Sequence, residues 1–291
     1  MFLIKLIGGI RKMLSQYKDM SPDEARAYMA SNAQGTYTLL DVRQDWEYEE
    51  EHLPGALHIP LPRLGETLHT IPHDKPVIAY CHSGGRSSAA ASMLRGEGFG
   101  EVYNLVGGIA AWTGEGAVGP ASAGFVFFSG DETLSEIIAL ACRMEENLGE
   151  FYQRMAKDKR AEAPEVADTL ERLAGFEAKH KTWLLTVYRQ HTGEELDQSQ
   201  LTASAQQRDA PPLEGGLTAD EFIERNMPAL TSAQGVVEAG MMFEAQALDL
   251  YMRYAREAGV QESRELLLTL ADEEKRHLKA LGTLMDRMQP A

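Results

Sequence analysis

The sequence predicts an α/β domain with a mostly parallel sheet, followed by an all-α four-helix bundle. Three observations make that prediction. Short apolar runs alternate with helical patterns over residues 15–116. A stretch rich in Gly, Ala and Ser, with Pro120 inside it, interrupts the pattern at 117–130. Beyond it strand signals nearly vanish, and two pairs of amphipathic helical segments recur 99 and 97 residues apart over 131–291.

A chain of 291 residues has room for two domains, and a hydrophobic content of 44% supplies their cores, which excludes global disorder. Lys+Arg 28 against Asp+Glu 44 leaves a net charge of −16, the wrong sign for a nucleic-acid partner. Most of that charge follows the interruption, so the second part should expose an acidic surface. Cys81 and Cys142 are the two cysteines, too few for a disulfide framework or a cysteine-ligated cluster, and they point to a reducing cytoplasmic location.

Residues 1–14 read MFLIKLIGGIRKML, an apolar stretch broken by Lys5 and ended by Arg11-Lys12. A bilayer span takes about 20 apolar residues, so this segment does not cross a membrane. Its charges follow the apolar part, unlike a secretory signal. A short amphipathic helix packed on its own protein is expected, with membrane-surface contact as the alternative.

Within 15–116, Thr38–Val42, Val77–Tyr80 and Val102–Leu105 read as buried strands. Ser21-Pro22-Asp23-Glu24 is a helix start, with a serine cap, a proline in the first turn and acids after it. Directly after the second strand comes CHSGGRS, Cys81 to Ser87, followed by a helical run from Ser88 to Gly96. Gly84 and Gly85 allow backbone N–H groups to converge on one point, and the next helix adds its positive end. A Cys81 thiolate would be stabilised in such a cradle, and Arg86 could present a planar fork to an oxyanion.

This first domain resembles the rhodanese family. The resemblance rests on LLDVR (Leu39 to Arg43), EHLPGALHIP (Glu51 to Pro60), the Cys81 loop and LVGGIAAW (Leu105 to Trp112), in that order. It implies a sulfurtransferase in which Cys81 holds sulfane sulfur as a persulfide and Arg86 closes the loop. His82, Ser83, Gly84, Gly85 and Ser87 would form the substrate cradle, supported by Asp41 and Arg43. Four residues separate Cys81 from Arg86, whereas related phosphatase-type loops carry five, so the tighter ring should fit sulfur. Sulfur donors such as thiosulfate or persulfides, and thiol acceptors, are the partners implied. Cys142, in an apolar helical stretch, reads as a small hydrophobe, with a sulfur relay as the alternative.

In the second part, Glu145 falls within the apolar stripe of Leu134, Ile138, Leu148 and Tyr152. Glu177 and His180 lie among Leu170, Leu173 and Leu184. The duplicate repeats this with Glu244, then Glu274 and His277 among Leu267, Leu270 and Leu281. Four carboxylates and two imidazoles on inward faces are hard to bury without cations. Two Glu and two Glu-x-x-His motifs are a di-iron or di-manganese ligand set. The polar 191–217 stretch is long enough to run the length of such a bundle.

This part resembles the ferritin-like superfamily, with rubrerythrin nearest in pattern. The resemblance implies two iron ions, with manganese as the alternative, bridged by Glu177 and Glu274. Glu145, Glu244, His180 and His277 would be terminal ligands, and peroxide or dioxygen the reactants. The chain departs from rubrerythrin in lacking Cys-x-x-Cys pairs. Gly240 and Met241 also stand where an extra carboxylate is typical. The expectation is a sulfurtransferase joined to a di-iron redox bundle that mediates homodimerisation. Two rival readings stand beside it: a persulfide- or redox-sensing carrier, and a metal-free dimerisation scaffold.

Overall fold

The computed structural model describes residues 17–125, 132–196 and 229–288. The expectations for residues 1–14 and for most of the 191–217 connection lie outside the described residues. Two compact units divide the chain, Met1–Ala121 and Ser122–Ala291.

The first unit is built on a five-stranded sheet in the order β1-β5-β4-β2-β3, with every pairing parallel. β2 (Thr38–Asp41) and β4 (Val77–Tyr80) are buried at every residue, as continuous apolar runs must be when helices cover both faces. β5 (Val102–Leu105) lies beside β4. Two strands not expected from the sequence form the edges, β1 (Lys18–Met20) and β3 (Leu57–His58). Side chains alternate between faces, so Leu40, Ala79 and Cys81 join one core, while Leu39, Ile78 and Tyr80 join the other. The helices are α1 (Pro22–Ser31), α2 (Asp45–Glu50), α3 (Leu61–Thr67) and α4 (Gly85–Gly96). α1 starts where its signal falls: Ser21 accepts from the Glu24 N–H and the Glu24 carboxylate accepts from the Ser21 N–H. α4 begins three residues before the expected Ser88, inside the cysteine loop.

The chain after residue 116 stays attached to this unit for a few residues. Ala117 pairs with His52 through two 2.8 Å backbone bonds, and the Gly119 N–H donates to the Glu49 carbonyl. Ser122 to Phe125 belong to the second unit, where Arg253 donates to the Ala123 carbonyl at 2.8 Å and the Phe125 ring meets Tyr254 edge-on.

The second unit contains α5 (Leu134–Lys159), α6 (Pro164–Thr192), α7 (Ala233–Glu257) and α8 (Gln261–Met288). α5 packs mainly on α6 and α7 on α8, and the two pairs join through α6–α7 and α5–α8. Two apolar cores occupy the bundle. One gathers Ile138, Cys142, Leu184, Ala247 and Leu270; the other gathers Leu148, Leu173, Phe243 and Leu281. Each helix passes from one core to the other, and each crosses a polar layer on the way: Glu145 on α5, Glu177 and His180 on α6, Glu244 on α7, Glu274 and His277 on α8. α7 is buried at every residue from Phe243 to Ala255. Cys142 is fully buried, and burial pushes its thiol up to about 12, so it stays protonated as a hydrophobe would. Among the described residues, no helix is long and apolar enough to cross a membrane.

Candidate active site and metal centre

Cys81 stands at the carboxyl end of β4, where a parallel sheet opens toward ligands. Gly84 caps α4 with φ +98°, a conformation that side chains other than glycine rarely adopt. That turn aims the Gly84 N–H at Cys81 Sγ, 3.1 Å away, and Ser87 Oγ lies 3.5 Å from the same sulfur. Burial raises the thiol's pKa. The Ser87 hydroxyl and the N–H groups of Ser87, Ser83 and Gly84 outweigh it, leaving Cys81 below the ordinary thiol range. Gly85 has an ordinary φ and open space where a Cβ would stand. Its lack of a side chain is therefore not what shapes the loop. His82, Ser83 and Gly85 form the exposed rim.

A second loop clamps the first. The Ile109 N–H donates to the Cys81 carbonyl at 2.9 Å, and the Ala110 N–H to the His82 carbonyl at 3.0 Å. A Cβ on Gly108 would meet those same two carbonyl oxygens at 2.2 and 2.5 Å, so only glycine fits there. This gives the LVGGIAAW segment its physical meaning.

Arg86 is differently placed from the sequence expectation. Its fork is closed on the Glu47 carboxylate, with bonds of 2.6 and 2.7 Å. That pairing holds the Glu47 carboxyl down at about 2. Arg86 also feels the Cys81 sulfur electrostatically, so an incoming anion meets a guanidinium already oriented and half-neutralised. Asp41 and Arg43 are both buried and pair with each other at 2.6 to 3.0 Å. Arg43 also donates to the Glu51 carbonyl at 2.6 Å and lies over the Tyr80 ring. These bonds brace the ends of β2 and β4 and do not run to Cys81. Glu47 and Asn104 were missed by sequence reasoning. Nothing local marks either: Glu47 meets Arg86 across 39 residues, and Asn104 meets Ser87 across 17.

In the bundle, the structure brings all six expected residues together. Glu145, Glu177, Glu244 and Glu274 are 2 to 3% exposed. His180 Nδ1 lies 3.4 Å from Glu145 Oε2 and 3.1 Å from Glu177 Oε2. His277 Nδ1 lies 3.2 Å from Glu244 Oε2 and 2.8 Å from Glu274 Oε2. The two imidazoles stack at 3.3 Å with planes 1° apart. Two groups can each put three ligand atoms within 4.8 Å: Glu145, Glu177 and His180, and His180, Glu244 and His277. Burial pushes the Glu274 carboxyl up, but the His277 hydrogen bond and charge, with Glu244 and His180, bring it below its ordinary value.

His180 and Glu177 bear on whether cations fit here. Their facing atoms, 3.1 Å apart, are buried, yet neither makes a hydrogen bond. Buried polar atoms left without a hydrogen bond are costly by themselves and are able to ligate a cation. Four buried carboxylates against two imidazoles also leave negative charge that a divalent pair would offset. Oxygen-rich sites with two nitrogens suit iron or manganese. A cavity of about 260 Å³ reaches the cluster, lined by Glu145, His180, Glu274 and His277 inside and by Lys179 and Trp183 farther out. At Gly240, one turn before Glu244, an added Cβ would already meet Leu173 at 3.2 Å, Leu281 at 3.4 Å and Tyr152 Oη at 3.5 Å. A side chain at this position would crowd these neighbours, which would have to give by a few tenths of an ångström.

Comparison with known proteins agrees with both halves. The family model for the rhodanese-like domain matches residues 21–115, and that for rubrerythrin matches residues 136–221 and 236–291. The chain is 42% identical over 74 residues to a thiosulfate sulfurtransferase GlpE of Coxiella burnetii, covering 25% of this chain and 69% of that one. It is 40% identical over 77 residues to the putative sulfur carrier protein YrkF of Bacillus subtilis, which takes in 26% of this chain but only 42% of the relative. A rhodanese-like domain protein from Staphylococcus aureus, known from a crystal structure, is 25% identical with a TM-score of 0.31, over 33% of this chain and 90% of that one.

Proposed function

We propose that this chain, which belongs to the rhodanese family and carries a rubrerythrin domain behind its rhodanese-like domain, moves sulfane sulfur through a Cys81 persulfide. The observation that carries the reading is the Cys81 sulfur, buried at a strand end and facing the Gly84 N–H and the Ser87 hydroxyl. The thiolate attacks the outer sulfur of a donor such as thiosulfate. The donor's S–S bond breaks, sulfite leaves with the electron pair, and Cys81 carries the transferred sulfur as S–S⁻. The loop N–H groups then face that terminal sulfur anion. An acceptor thiolate attacks it, and the Cys81 thiolate departs into the same donors. Arg86, oriented by Glu47, faces the anionic part of the donor. Cys81→Ser should abolish sulfur transfer from thiosulfate while the fold persists by circular dichroism; retained transfer would refute the reading.

For the bundle, Glu145, Glu177, Glu244, Glu274, His180 and His277 would hold two iron ions, with manganese as the alternative metal. Such a pair supplies electron-transfer chemistry toward peroxide, dioxygen or sulfur species. The chain's own contribution is to seat six ligand side chains between two apolar cores and to leave a cavity that reaches them. Metal per chain should fall sharply in Glu177→Ala and Glu274→Ala; undiminished content would remove the assignment.

A further inference from the structure

Ser87 has one hydroxyl proton and three acceptors around it. Asn104 Oδ1 lies at 2.7 Å, the Gly84 carbonyl at 3.1 Å and Cys81 Sγ at 3.5 Å. Asn104 sits on β5, with Asp19 opposite it on the edge strand β1. The Asn104 side-chain nitrogen donates to the Asp19 carboxylate at 2.8 Å. An ionised carboxylate can only accept, so the NH₂ end of the amide must face Asp19. The amide oxygen then faces Ser87 and, having no proton, must receive that of the hydroxyl. Ser87 is fully buried and Asn104 nearly so, leaving little room for water to substitute.

From this arrangement we propose that Asn104, fixed by Asp19, competes with the Cys81 sulfur for the single proton of Ser87 and so limits how readily that sulfur becomes a thiolate. While Sγ is a thiol, or the inner sulfur of a persulfide, the hydroxyl donates to Asn104. When Sγ carries negative charge, the hydroxyl rotates and donates to it, giving up the Asn104 bond. Asn104 and Asp19 are positioning residues in this scheme; neither touches the reacting sulfur. The other titratable and charged groups near the loop include the exposed His82 within it, Arg86 on α4, paired with Glu47 on α2, and the Asp41–Arg43 pair at the end of β2. The variants below leave all of them in place. A further tie from Tyr17, the residue before β1, joins its Oη to Ser88 Oγ at 2.7 Å and helps hold the first turn of α4 in register.

The inference rests on Cys81 being the nucleophile, and its test reads the thiol directly. The rate of Cys81 alkylation by iodoacetamide is followed from pH 5 to 10 in the full chain. Asp19→Asn, at an exposed position, lets the amide invert so that Asn104 donates to Ser87 and frees the hydroxyl for sulfur. Asn104→Leu removes the competitor outright. Each should move the thiol's titration to lower pH and raise alkylation about fivefold below the midpoint, the worth of one net hydrogen bond. Both effects should vanish in the Ser87→Ala background, because no proton is left to compete for. A shift from Asp19→Asn that survives Ser87→Ala would mean Asp19 acts by its charge, and would overturn the proposal. So would an unchanged or upward-shifted titration. Failure of Cys81→Ser to abolish transfer is a separate outcome, which would sink the sulfurtransferase reading and leave this titration result standing.

Discussion

Glu47 and Arg86 join two elements across 39 residues of sequence, and their pairing has a pH signature. The Glu47 carboxyl drops from an ordinary 4.5 to about 2 in the folded chain, first through the Arg86 hydrogen bonds. A depressed acid stabilises the fold above its unfolded value, and that contribution disappears as pH falls from 4.5 toward 2. Thermal melts of the wild type should therefore lose stability across that window. Glu47→Gln, which cannot ionise, should start less stable at pH 7 and lose less on acidification; parallel curves for the two proteins would show that the pair does not couple to folding. The same variant leaves Arg86 unneutralised beside Cys81, so alkylation of the thiol at pH 6 should be faster than in wild type. Cys81 and Arg86 were legible in the sequence because their spacing lies within one loop. Glu47 and Asn104 were not, since each meets the loop only once the chain has folded.

Elements differ in how plainly the sequence marks them. β2, β4 and β5 are flanked by neighbours on both sides and read as apolar runs, but β1 is Lys-Asp-Met and β3 only two residues long. Edge strands so short carry no periodicity to detect, although Asp19 of β1 holds Asn104 and Tyr17, just before it, holds Ser88 beside the cysteine loop. The glycines of that loop and of the loop clamping it separate just as clearly. Gly108→Ala places a methyl group against two carbonyl oxygens at positive φ, and should cost more than about 1 kcal/mol while disturbing the Cys81 loop. Gly85→Ala, with open space at an ordinary φ, should be neutral or stabilise by about 0.4–1 kcal/mol. Denaturant midpoints of the two variants test the contrast, and equal losses at both positions would contradict the clamp. Thr133 marks the start of α5 with the same reciprocal cap that Ser21 gives α1. Thr133→Ala should cost the bundle about 1 kcal/mol.

At the scale of the whole chain, the bundle's duplication is what made its site readable. Glu145 to His180 and Glu244 to His277 each place a carboxylate on one helix and Glu-x-x-His on the next, and the fold turns both sets toward the layer between its apolar cores. What the duplicate pattern could not reveal is asymmetry. Asp249 and Arg253 on α7 form a buried 2.6 Å pair that holds the Ala123 carbonyl, whereas their counterparts Glu150 and Arg154 on α5 stand exposed. Among the described residues the two units have separate cores, and the layer of buried carboxylates lies in the second. Metal bound by the folded bundle and not by its unfolded chain adds to that unit's stability as RT ln(1 + [L]/Kd), about 2.7 kcal/mol at a hundredfold excess over Kd. Removing metal also exposes four buried acids to one another at close range, with two imidazoles to offset them. Calorimetry of the full chain should then resolve a transition that falls when metal is chelated and returns when iron is restored. The transition of the sulfurtransferase unit, followed through Cys81 alkylation during heating, should stay in place. A chelated protein in which neither transition moves would mean that the carboxylate layer is tolerated without cations, and the di-metal assignment would fall with it.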